Sequence, residues 1–224
     1  MPVTQKALFF DFDGVLADSV AVKTRAFARL FEDHGPDVTA RVVRHHLEHG
    51  GMNRFDKFRH YYREFLDRPL PEAELADLCA RFAALVVEEV VAAPEIAGAT
   101  AFLEHCRGLP CYVISGTPQE EIRRICQRRG LDGRFREILG APASKTEHLR
   151  RVLAEYGFDP AACVFFGDAG SDLKAARECD VPFVGILPGP DAPLLAQAPG
   201  IVWYPDFNAY PWQEMNCSAS EESI

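Results

Sequence analysis

No stretch of this 224-residue chain sustains the roughly 18 apolar residues of a membrane span, so no transmembrane helix is expected. Positive charge is scarce. There are 24 Lys and Arg against 33 Asp and Glu, a formal net charge of −9, which argues against nucleic acid or an anionic membrane as partner. That balance also sets a condition: an anionic ligand would need a locally positive pocket inside a negative protein. No CxxC pair occurs. The seven cysteines, Cys79, Cys106, Cys111, Cys126, Cys163, Cys179 and Cys217, are scattered and odd in number, which suits small reduced core residues rather than zinc ligands or disulfides. No internal repeat is visible. Met1 to Lys6 runs straight into the first apolar stretch and leaves no room for a signal peptide, so a cytoplasmic monomer or homodimer is expected.

Against these absences, one stretch stands out. Leu8-Phe9-Phe10-Asp11-Phe12-Asp13-Gly14 begins as an unbroken apolar run, as a central parallel strand buried on both faces would. Two carboxylates then appear one residue apart. In extended chain they share a face, at the strand end where open α/β sheets bind ligands. Gly14 lets the backbone turn sharply. A turn or a helix cap would account for Asp13-Gly14 alone. It does not account for Asp11, set among phenylalanines, where a bare charge needs a partner such as a metal.

From Ser19 to about Val91 no good strand occurs. Four amphipathic patterns predict helices near 20–34, 38–49, 54–66 and 72–91, with Gly50-Gly51 as a stop, Asn53 as a cap and Pro71 at a first turn. Inserted after the first strand, this block should pack as a small bundle beside the sheet. The predicted division is 1–17 with 92–224 as an α/β core and 18–91 as a helical second domain, joined near 16–20 and 90–95. Beyond Pro94, helices near 97–107, 119–129, 145–156 and 172–179 alternate with strands near 111–114, 137–139, 163–166 and 183–186, and a short last strand near 201–204. This alternation predicts a doubly wound, Rossmann-like parallel sheet. The polar end, 216–224, is expected to fray.

Three further positions carry chemistry. Ser115 and Gly116 end the strand before a helix whose start, Thr117-Pro118-Gln119-Glu120, has capping-box spacing, so backbone N–H groups, the helix dipole and the Ser115 hydroxyl suggest an anion site. Lys145 lies in the first turn of a helix opened by Ser144 and Glu147, where a cation opposes the dipole and is better understood facing an anion. Gly167-Asp168 ends another apolar strand, and Asp172 follows four residues later. Mg²⁺ favours a few carboxylates with waters and phosphate oxygens, and Asp168 suits a direct ligand. Asp172 suits a water-mediated contact, an orienter of Lys145, or simply a helix cap.

These stretches, in this order, resemble the four motifs of the haloacid dehalogenase superfamily, whose first pattern is hhhhDxDGxhxDS. The resemblance implies Mg²⁺ as cofactor, with Asp11, Asp13, Asp168 and Asp172 around it. It implies that Asp11 attacks phosphorus to form an aspartyl-phosphate, that Asp13 protonates the leaving oxygen and then activates water, that Lys145 offsets charge, and that Ser115 and Gly116 bind phosphate. The helical block would be a mobile cap. Members that act on haloacids or phosphonates lack the second Asp, so Asp13 favours phosphate esters. The implied activity is hydrolysis of a small phosphorylated metabolite, as in phosphoglycolate and sugar-phosphate phosphatases. A sugar phosphomutase like β-phosphoglucomutase, or less readily a non-catalytic binding module, are the alternatives. In the cap, Arg54 and Lys57 follow the glycine pair at a helix start and are candidates to grip a distal substrate anion. His45 and His49 share a helical face but lack the H-E-x-x-H pattern and read as solvated rather than as a zinc site.

Overall fold

The computed structural model describes residues 5–212. Six parallel strands, β1 (Ala7–Phe10), β2 (Cys111–Pro118), β3 (Glu137–Ala141), β4 (Cys163–Gly167), β5 (Phe183–Ile186) and β6 (Trp203–Tyr204), form one sheet in the order β3-β2-β1-β4-β5-β6. The sequence predicted this doubly wound arrangement. The chain runs outward from β1 to one edge through β2 and β3, then returns to the other side of β1 through β4. The switch in direction therefore lies between β1 and β4, where ligand crevices open in such sheets.

Alternation assigns the two faces of the sheet. Leu8, Phe10, Val113, Val164 and Phe166 point into one apolar layer, and Ala7, Phe9, Tyr112, Ile114 and Phe165 into the other. Stacked rings cross the central strands in each layer, Phe10 on Phe166 and Phe9 on Tyr112, with centroids 5.1 and 5.2 Å apart. Bulky residues on both faces of β1 are what an all-parallel sheet covered on both sides requires.

The helical block that follows β1 consists of α1 (Val20–Phe31), α2 (Pro36–Glu48), α3 (Arg54–Glu64) and α4 (Glu72–Ala92), none adding a strand. They pack around Phe27, Phe31, Phe58, Tyr61 and Phe82, whose rings sit 4.4–6.2 Å apart. Asn53 caps α3 by accepting a hydrogen bond from Asp56 N, as its sequence suggests. The chain's two passages between bundle and sheet run side by side: Asp18 N donates to Pro94 O at 2.9 Å and Ile96 N to Leu16 O at 3.2 Å.

The remaining helices are α5 (Ala99–His105), α6 (Gln119–Arg128), α7 (Lys145–Tyr156), α8 (Gly170–Glu178) and α9 (Pro193–Gln197), the last without a sequence signal. Two of the boundaries that differ from expectation bear on the site. β2 extends through Pro118, and α6 has no side-chain cap, because Thr117 spends its hydroxyl across the sheet top instead. α8 begins at Gly170, two residues early, with the Asp172 carboxylate accepting from Ala169 N at 3.1 Å. The polar 216–224 segment and Cys217 lie outside the described residues.

Candidate active site

Asp11 follows the last residue of β1 and Asp168 the last of β4, so the central strand pair delivers both carboxylates to the switch point. Asp172 comes from the first turn of α8. Lys145 is the first residue of α7, fixed there by the reciprocal Ser144–Glu147 capping box. Lys145 Nζ lies 2.8 Å from Asp11 Oδ2 and 2.5 Å from Asp172 Oδ1, with all three side chains buried. Phe12 N donates to the other Asp11 oxygen at 2.7 Å. Gly14, at φ +80°, is where the chain must turn left-handed, and a Cβ there would fall on the Asp168 carboxylate.

One oxygen from each of Asp11, Asp168 and Asp172 lies within 4.8 Å of the others. Lys145 compensates two of these acids. No protein donor reaches Asp168 among the described residues, and burial, with Asp11 and Asp172 beside it, holds its carboxyl well above the usual range. Burial likewise pushes Asp11 up to about 7, against the opposing charge of Lys145. An all-oxygen donor set with one uncompensated carboxylate fits a hard divalent cation, which would remove both penalties.

Asp13 is not in that cluster. Its carboxylate accepts from Ser19 Oγ at 2.6 Å, pairs with Lys23 and meets Thr117 Oγ1 at 3.4 Å, while Lys23 Nζ also donates to Thr117 Oγ1 at 2.7 Å. Burial raises this carboxyl, but the charge and hydrogen bond of Lys23 and the Ser19 hydroxyl outweigh it, and the net shift is downward. Asp13 therefore reaches the top of the site as an ionised group. Ser115 is 2% exposed, and its Oγ accepts from Thr117 N at 3.1 Å. Gly116 and Thr117, rather than Ser115, line the open space above the acids.

That space is a cavity of about 410 Å³ between sheet and helical block. Asp11, Asp13, Asp168, Gly116 and Thr117 bound it below; Phe27, His46, Arg54, Lys57 and Phe82 bound it above. The Gly50-Gly51 turn closes one side. Ser171 Oγ donates to Gly50 O at 3.3 Å, and Gln197 Nε2 to Glu48 O at 3.4 Å. Gly51 has φ +75°, and a Cβ on it would strike Ser171. A Cβ on Gly116 would strike the Gly51 carbonyl, so the two glycines permit backbone contact across the closure.

The cap candidates separate. Arg54, 5% exposed, lines the cavity but commits its guanidinium to both oxygens of buried Glu121 on α6, with the ring of Phe82 4.4 Å beneath it. Lys57, 2% exposed, has no carboxylate partner and donates to His46 Nδ1 at 2.7 Å. The histidines divide: His49 is exposed, as its sequence suggests, but His45 is buried in a stack with His49 and His60, centroids 4.0 and 4.1 Å away. Among the described residues these rings do not gather as a metal-ligand group, and His49 Nδ1 lies instead 3.0 Å from the His45 carbonyl oxygen.

Four residues of this arrangement escaped the sequence: Lys23, Thr117, His46 and Glu121. Lys23 sits ten residues beyond Asp13 with no local pattern to mark it, and Glu121 is 67 residues from Arg54. Thr117 gave a signal, but it pointed to a helix cap.

Comparison with known proteins completes the description. The family model for haloacid dehalogenase-like hydrolases matches residues 5–180. A phosphoglycolate phosphatase of Synechococcus elongatus is 26% identical over 186 residues, covering 82% of this chain and 84% of the relative. Another from Pseudomonas putida is 26% identical over 212 residues, covering 88% and 75%. Among solved structures, a hydrolase from Pseudomonas syringae superposes with TM-score 0.75 at 20% identity, covering 95% of this chain and 100% of its own. A β-phosphoglucomutase from Clostridium difficile gives 0.75 at 16% identity, covering 94% and 95%.

Proposed function

Since the chain belongs to the haloacid dehalogenase-like hydrolase family and is an enzyme of phosphatase type, we propose that it hydrolyses a small phosphorylated metabolite of the phosphoglycolate or sugar-phosphate type. The observation that carries this is the buried Asp11–Lys145–Asp172 chain, with uncompensated Asp168, under a cavity sized for a small ligand. Mg²⁺ is the proposed ion, held by Asp11, Asp168 and Asp172, and when bound it supplies charge neutralisation for the phosphoryl group. The relatives' activity, and the cluster's fit to oxygen-loving cations, support this reading. A cytoplasmic setting is part of the proposal; no helix among the described residues is long and apolar enough to cross a membrane.

In the proposed cycle an Asp11 oxygen forms a bond to phosphorus while the ester P–O bond breaks. The departing alkoxide takes the Asp13 proton. Water then gives a proton to Asp13 and attacks phosphorus, the bond to Asp11 breaks, and inorganic phosphate leaves. Lys23 favours ionised Asp13, the form that accepts water's proton. An arriving phosphate, negative itself, opposes Lys23 and moves Asp13 towards the protonated form that the first step needs. Residues 18–91 act in this proposal as a cap that opens for substrate exchange.

The test is phosphate release from a panel of phosphometabolites and p-nitrophenyl phosphate, with Mg²⁺ or with chelator, by the parent and Asp11→Asn. Turnover is expected only for the parent with Mg²⁺. Release by Asp11→Asn at the parent rate overturns the mechanism. Isomerisation of a sugar phosphate, with phosphate retained, assigns the protein to the phosphomutases instead.

A further inference from the structure

The three cations lining the cavity are not equivalent. Lys23 is paired with Asp13, and Arg54 with Glu121. Lys57 lines the same space, is 98% buried, and has no carboxylate within ion-pair reach among the described residues. Its contacts are His46 Nδ1 at 2.7 Å, His46 O at 3.4 Å and the face of Phe27 at 5.4 Å. An ammonium so placed is costly, because no paired anion among the described residues offsets its lost hydration.

His46 adds a second unspent group. Its Nδ1 faces the Lys57 amine, and the tautomer that accepts there carries its proton on Nε2. Nε2 is buried without a hydrogen-bond partner. Burial, followed by the charges of Lys57 and Lys23, drives the ring's pKa down to about 2, so the imidazole stays neutral. Two donors on cavity-lining residues, both short of acceptors, point to an acceptor that arrives with the ligand.

We propose that Lys57 and His46 form a carboxylate-binding subsite in the roof of the cavity, so that the preferred substrate is a small phosphate monoester whose alcohol carries one carboxylate. The inference rests on the phosphatase reading and narrows it. A carboxylate is favoured over a second phosphate by charge: one lysine beside the ring of Phe27 balances one negative charge and leaves a dianion under-compensated. The amine is also poised to respond. Burial and Lys23 on α1 lower its pKa to about 7, with Lys145 in the same sense and Asp168 and Asp13 against them. A bound carboxylate raises it, and a proton enters with the ligand.

The test compares 2-phosphoglycolate, ethyl phosphate, ethylene glycol bisphosphate and p-nitrophenyl phosphate with the parent and Lys57→Met. For the parent, kcat/KM is expected to be at least about tenfold higher on phosphoglycolate than on ethyl phosphate or the bisphosphate, the scale of one charged hydrogen bond. Lys57→Met should lose that preference through KM, with p-nitrophenyl phosphate within about twofold of the parent. Equal treatment of the first two esters, preference for the bisphosphate, or parallel losses on all four overturn the subsite. Absence of release from every ester overturns the phosphatase reading instead. Binding then judges the subsite by itself. In the Asp11→Asn background at pH 7 with Mg²⁺, calorimetry in buffers of different ionisation enthalpy should find more proton uptake with phosphoglycolate than with ethyl phosphate. The excess should vanish with Lys57→Met; equal uptake overturns the proposal without needing turnover or a well-folded Lys57 variant.

Discussion

Lys145 and Lys57 are the same side chain at nearly the same burial, 6% and 2% exposed, yet their surroundings drive them in opposite directions. At Lys145, burial works against the charge, but Asp11 and Asp172 outweigh it and raise the pKa. At Lys57 burial acts with no paired carboxylate to oppose it, and the pKa falls to about 7. Burial therefore does not decide whether a lysine is charged; the partner supplied by the fold does. A strand end and a helix start bring Asp11 and Asp172 to Lys145 before any ligand arrives. The aromatic bundle brings Lys57 only a histidine and leaves the counter-charge to the ligand.

That contrast breaks most severely at the sheet. Lys145→Met strands two buried carboxylates, and a loss of about 3–5 kcal/mol is expected in the metal-free protein, partly recovered by Mg²⁺, together with at least about a thousandfold fall in kcat. Chemical denaturation with and without Mg²⁺, alongside rates, checks this; unchanged stability would mean that Lys145 does not neutralise the cluster. Arg54→Ala probes the other way in which the bundle handles a cation. Because Arg54 is spent on Glu121, the variant should lose about 3 kcal/mol and slow p-nitrophenyl phosphate and the physiological ester alike. Glu121→Ala in the same chain should restore part of the stability, a coupling that a double-mutant cycle measures. A rise in KM confined to one ester would return Arg54 to substrate binding.

The smallest effect sharpens the comparison through pH. The folded chain holds the Lys57 pKa at about 7, below the ordinary 10.5, so between these values the unfolded chain binds more protons and stability rises with pH. Lys57→Met removes that slope. The variant should be more stable than the parent at pH 7, with the gap closing towards pH 10. Melting curves across that range decide it, and a gap that stays constant would place Lys57 among ordinary charged lysines.

Much of the sheet site is legible in sequence because its determinants are local. Apolar runs ending in Asp11 and Asp168 mark strands and their carboxyl ends together, and the Ser144–Glu147 box fixes the start of α7, and with it Lys145, to the residue. The parallel order follows from alternation of helix and strand. What the sequence does not reveal is set by distant partners. Asp13 looks like a fourth acid of the metal cluster until α1 lays Lys23 across it. Arg54 looks available to substrate until α6 presents Glu121. Thr117 has the spacing of a cap, yet a hydroxyl at the top of β2 finds Lys23 closer to hand. Lys57 at a helix start suggests a facing anion, but its burial, and the histidine it leans on, come from packing of α2 against α3.

If residues 18–91 open and close as proposed, the meeting of Gly51 and Gly116 makes closure a gauge of length. With no side chain on either residue, the turn descends until one backbone rests against the other, and the height of the closed chamber is fixed by the chain itself. A substrate that fits beneath lets the turn seat; one that is a few atoms too long props it up and leaves its own phosphoryl group in bulk water. Such a gauge rejects by size before any contact with the leaving group is tested, and it needs no residue dedicated to recognising what it turns away.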